Sequence, residues 1–141
     1  MLTLKRLDLS DAHRLAAAAR AKAGEMGVIV CIAVCDESGV LIAFDRMDDA
    51  KGTSGAIAID KAFAAAGTRK GTHELAVASQ PGAPAYGLAS AVGGRMVVIG
   101  GGVPVFDGHQ LIGAIGVSGG SPDQDRLIAE AAISALHSNP A

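Results

Sequence analysis

The sequence predicts one α+β domain, α/β in the broad sense, with elements in the order α-β-β-α-β-β-β-α. Three observations carry this. Two alanine-rich segments near the ends repeat apolar residues at helical spacing. The run VIVCIAVCD at 28–36 is apolar on both of its alternating sets, as a strand covered on two sides must be. The stretch from 95 to 118 breaks at glycines into short β-type runs. At 141 residues the chain suits a single domain long enough to bury a core without staples.

Ser10 stands as an N-cap before DAHRLAAAARAKAGEMG, where Ala12, Leu15, Ala16, Ala19, Ala23 and Met26 recur on one face and Gly27 ends the helix. The two-sided strand follows. DESG at 36–39 has turn chemistry and returns the chain through VLIAFDR as a hairpin. Ser54 is the expected cap of a second helix, GAIAIDKAFAAAGTR, and Thr72 of a short turn, THELA. SQPGAPAYGLASAVGG is a loop by its prolines and glycines. RMVVIGGGVPVFDGHQLIGAIGVSG then divides into three strands, with DGHQ turning the second into the third. In the last of them Leu111, Ile115 and Val117 are expected on one face and Ile112, Ala114, Gly116 and Ser118 on the other, a face nearly bare of side-chain bulk. Ser121, Pro122 and Gln124 form a capping box that opens the final helix.

Composition narrows the function. A net charge of −2 with no basic tract argues against nucleic acid and anionic membrane surfaces. The amino terminus lacks a signal-peptide core and no run approaches membrane-spanning length, so a soluble cytoplasmic protein is expected. Only 3% of residues are aromatic, which calls for close packing of small side chains. Cys31 and Cys35 lie on one face of a strand about 13 Å apart, too far for a disulfide, and with no histidine nearby they make a poor metal pair. The GVSGGSPDQD run has neither a Walker lysine nor G-x-G-x-x-G, but Gly119 and Gly120 precede a helix N-terminus whose free N–H groups can meet an anion.

VCDESGVLIAFDRMDDA, SGAIAIDKAFAAA, PAYGLASAVGGRMVVIGGGVPV and IGAIGVSGGSPDQD, taken in this order, resemble the GlcG/HbpS-type family of small haem-binding or haem-degrading proteins, related to the C-terminal domain of PduO-type adenosyltransferases. The resemblance covers nearly the whole chain. It implies a profilin-like, five-stranded antiparallel sheet flanked by helices, a homo-oligomer, and haem or a related tetrapyrrole as ligand. It also points to His13, the one histidine of the first helix, as an axial candidate; on the helical wheel His13 lies at the boundary of the apolar stripe. Tyr86 and Arg95 are expected on a pocket rim. A reading from another class makes the protein a cofactor-free isomerase, hydratase or hydrolase of small organic acids. Asp45, Arg46 and Lys61 would then grip a carboxylate or move a proton, with His73 and Glu74 nearby. The alternative for each of these charges is a structural ion pair.

Overall fold

The computed structural model describes residues 1–138. Strands β1 (Cys31–Asp36), β2 (Leu41–Arg46), β3 (Gly102–Asp107) and β4 (Gln110–Ser118) form one antiparallel sheet in the order β2-β1-β4-β3. Helices α1 (Leu9–Met26) and α4 (Pro122–Ser138) cover one face, and α2 (Ser54–Thr68), followed by the short α3 (Thr72–Ala78), covers the other. The expected hairpin of β1 and β2, the two-sided burial of β1, and the first, second and last helices are all present.

The pleat sorts side chains by size. Ile32 and Val34 of β1, Val105 of β3, and Ile115 and Val117 of β4 pack against Leu15, Ala19, Ile128 and Ala129 from α1 and α4. On the opposite face Cys31, Ala33, Cys35 and Ala114 meet Ala58, Ala62 and Ala65 of α2. One layer is therefore built from branched residues, each worth about 1.5–3 kcal/mol of burial. The other is built from contact between backbones. Gly116 lies between Ala33 and Gly102 in the ladder. A β-carbon on Gly116 would stand 2.0 Å from the Ala58 carbonyl oxygen, and one on Gly102 2.4 Å from that of Lys61. The bare face expected in the last strand is thus the seat of a helix.

Several expectations are corrected. Asp8, not Ser10, caps α1: its side chain accepts from the Asp11 N–H at 2.8 Å and Asp11 reciprocates toward the Asp8 N–H at 3.2 Å. Ser54 is the first residue of α2, after Thr53, and no side chain caps that helix. THELA extends into α3, which is capped by Glu74 reaching back to the Gly71 N–H at 2.8 Å. Thr72, at 0% exposure, instead accepts from the Gly102 N–H at 2.8 Å and anchors the start of β3. The strand expected at 95–99 does not form. Met96 and Val98 pack with Leu75, Ala64 and Phe63, and a Val97 N–H to Arg95 carbonyl bond of 3.0 Å curls the backbone. Tertiary burial overrides local β propensity there, leaving four strands and the order α-β-β-α-α-β-β-α. Ile112 is the extra residue of a bulge, since Val105 pairs with Gly113 and Phe106 with Leu111. It therefore packs with the α1/α4 layer rather than under α2. The capping box at Ser121 and Gln124 is present, with bonds of 2.9 and 3.2 Å.

Both cysteines are free thiols buried on the α2 side. Burial pushes the Cys35 thiol up to about 12, and its sulfur lies 3.4 Å from the Ala62 carbonyl oxygen. Ellman's reagent is expected to find no reactive thiol in the native protein at pH 8 and two after denaturation. Gly116→Ala should lower stability by about 2–3 kcal/mol or more through overpacking. Gly24→Ala, in an exposed part of α1 with nothing near the new methyl, should raise it by up to about 1 kcal/mol. Urea midpoints check both.

Candidate functional site

At the C-terminal end of β4 the N-termini of α2 and α4 approach one another and leave a cleft of about 160 Å³. Lys51, Ser54, Lys61, Ser118, Gly119, Gly120 and Asp125 are among its lining residues. Lys61 belongs to the apolar face of α2, in step with Ala58, Ala62 and Ala65, and is only 2% exposed. Its ammonium donates to the Val117 carbonyl at 2.8 Å and to Asp125 Oδ2 at 3.1 Å. Asp125, also 2% exposed, accepts from the Gly120 N–H at 2.8 Å through its other oxygen. The pair thus ties both helices to the end of β4. Burial lowers the Lys61 pKa, opposed by the charge and hydrogen bond of Asp125.

This geometry divides the expected organic-acid set. Successive residues of β2 point to opposite faces, so Asp45 turns toward α1 and pairs with Arg20, while Arg46 stays exposed beside Cys31 in the ladder. Lys61 pairs with Asp125 instead. Asp45 and Lys61 thus have separate partners on opposite sides of the sheet. Glu74 is held in the α3 cap. The imidazole of His73 lies against Gly71, where any β-carbon would come within 2.2 Å of the ring, and its buried Nδ1 has no hydrogen-bond partner. Arg95 bonds Asp60 at 2.9 Å and lies 3.7 Å over the Phe63 ring, fixing the loop to α2, while Tyr86 is 71% exposed. Gly119 and Gly120 do reach the cleft.

Asp125 and Ser118 were not among the residues singled out from sequence. A signal existed: Asp125 falls in step with Ile128, Ala129 and Ala132, as Lys61 does with its alanines. Opposite charges set into two apolar stripes mark a buried pair.

A larger cleft, about 650 Å³, lies at the start of α1 and the end of α4. Its cations are engaged: Lys5 with Asp107 at 2.7 Å and Arg6 with Glu37 at 2.5 Å. His13 lies on the exposed side of α1, one turn from the exposed Leu9 and one from Ala17. Ala17 itself borders a groove of about 250 Å³ between α1 and α4. Among the described residues no cluster of three histidine, cysteine or acidic side chains is placed to hold a metal, and no helix is long and apolar enough to cross a membrane.

Residues 7–134 match the family model for the haem degrading protein HbpS-like family. The chain belongs to the HbpS-like family. It is 46% identical over 90% of its length to a 15.0 kDa protein of Citrobacter freundii from the dhaT-dhaS intergenic region, covering 89% of that protein. It is 41% identical over 93% of its length to the corrinoid adenosyltransferase PduO of the same organism, but spans only 39% of that protein. The crystal structure of the PduOC:heme complex superposes with a TM-score of 0.88 at 40% identity, covering 92% of this chain and 94% of that one. The GlcG/HbpS resemblance and the α+β fold thus stand.

Lys61→Met should leave Asp125 buried without its cation and cost about 3–5 kcal/mol. Adding Asp125→Leu should recover part of that loss. Fully additive losses in urea unfolding would show that the two side chains are not coupled.

Proposed function

We propose that this protein is a cytoplasmic, homo-oligomeric binder of haem or a related tetrapyrrole, with His13 as the axial ligand. The observation that carries the reading is the 40% identity, across nearly the whole chain, to a protein crystallised as a haem complex. The residues fit the group in part. His13 offers an exposed imidazole with no hydrogen-bond partner among the described residues, flanked by Leu9 and Ala17 on the same helical face. A tetrapyrrole needs a second apolar wall, and one protomer supplies only the α1 surface and the adjoining groove. A second copy laid against α1 would complete the slot. Exposed apolar side chains elsewhere, including Leu41 and Phe44 on the edge strand β2, favour assembly as well. Bound haem would supply iron for redox or oxygen chemistry. The chain's own part is to hold it and to limit water around it.

The organic-acid enzyme reading loses much of its expected centre, because Asp45 pairs with Arg20, Lys61 pairs with Asp125 and Glu74 is committed to a cap. Haem titration followed by the Soret band, alongside light scattering, tests the proposal. Saturable binding of about one haem per protomer is expected, lost in His13→Ala and retained in His109→Ala, which alters an exposed turn residue. Stoichiometric binding that survives in His13→Ala would overturn the ligand assignment. A monomer at every concentration would overturn the shared slot.

A further inference from the structure

The cleft between the N-termini of α2 and α4 contains polar groups that the fold does not use. Ser54 is 3% exposed and Ser118 6%, and both line the cleft. Neither hydroxyl has a hydrogen-bond partner among the described residues. Each residue is almost wholly buried while its hydroxyl stays open to the cleft, so both are free to bond whatever occupies the hollow. The backbone adds further donors. Helix α2 runs for 15 residues without a side-chain cap. The Ser54 N–H reaches the Lys51 carbonyl and the Ile57 N–H the Thr53 carbonyl. The Gly55 and Ala56 N–H groups between them have no backbone acceptor outside the helix, at the end where the helix dipole is positive.

Charge favours the same ligand class. Lys51 and Lys61 line the cleft, and two of the three ammonium N–H groups of Lys61 are engaged. Asp125 is the opposing charge there, and both its oxygens already accept bonds, from Lys61 and from the Gly120 N–H. Asp49 and Gln124 border the adjoining hollow beyond Gly119 and Gly120.

We propose that the Ser54–Ser118 cleft binds a small oxyanion, a carboxylate or a phosphate group, through the two hydroxyls, the first-turn N–H groups of α2 and Lys51. Its volume of about 160 Å³ is roughly five times the ~30 Å³ share of one liquid water, enough for acetate or inorganic phosphate. The site does not depend on haem binding: His13 is on α1, on the other side of the sheet.

Titration of the ¹⁵N-labelled protein with sodium acetate and, separately, sodium phosphate at constant ionic strength tests this. Saturable amide shifts at Gly55, Ala56, Gly119 and Gly120 are expected with at least one of the two anions. Acetate alone would identify a carboxylate site, phosphate alone a phosphate site, and both a general oxyanion site. Ser54→Ala and Ser118→Ala should each weaken binding about ten-fold, the effect of one hydrogen bond to a charged group, without lowering the urea midpoint, because neither hydroxyl has a partner in the fold. Lys51→Met, at an exposed position, should also weaken it. Shifts that never saturate, or affinity unchanged in all three variants, would overturn the proposal.

Discussion

Helix α2 lies directly on the backbone of the sheet, and most of the molecule is arranged around that contact. Ala33, Gly116 and Gly102 occupy neighbouring positions on three strands, and the Ala58–Ala62 turn of α2 rests on them with nothing larger than the Ala33 methyl between. So close an approach confines that layer to alanine and cysteine. It also brings Lys61 beside Gly101 and Gly102 and over the end of β4, where its ammonium reaches Val117 and Asp125. With a bulkier face under α2, the lysine would not reach the far helix. The glycines of β3 and β4 are therefore as much a part of the ion pair as its two charges.

That pair joins elements from opposite layers. Asp125 is in the first turn of α4, which belongs to the α1 side, while Lys61 belongs to α2. A buried ion pair contributes little net stability over a well-packed apolar pair, since desolvation of both charges offsets their attraction. Its effect here is positional. It sets the start of α4 relative to α2, and the bond from Asp125 to Gly120 fixes the connecting loop. The cleft with Ser54 and Ser118 is the space left at that junction.

Most of the fold was legible because its signals are local or periodic. The two-sided burial of β1, the stripes of α1 and α4 and the Ser121–Gln124 box can be read without knowing any distant contact. The misreadings occur where a distant partner decides. Thr72 looks like a cap but bonds β3, and Ser54 looks like a cap but faces a cleft. Residues 95–99 have strand chemistry, but Met96 and Val98 pack on α2 and α3 instead. The site follows the same pattern. Lys61, Gly119 and Gly120 stood out in the sequence, whereas their partner Asp125 lies 64 positions from Lys61 and Ser118 was visible only as one of a row of small residues.

The two candidate surfaces answer to different physics, and one helix borders both. The His13 face of α1 is exposed and shallow, so a large planar ligand there depends on apolar area contributed from outside the protomer. The cleft at the end of β4 is small and rich in donors, so selectivity there rests on charge and on two hydroxyls that make no bond within the protein. Helix α4 carries Asp125 at its first turn, and Ala135 and Leu136 in the groove beside Ala17 at its last. Its inner face is locked by Ile128, Ala129 and Ala132 against the sheet and α1. A helix held along its whole length transmits a shift at one end only by moving as a unit, and close-packed interiors resist such movement. The packing that positions both surfaces therefore also keeps them independent unless a ligand contributes enough binding energy to displace α4 as a body.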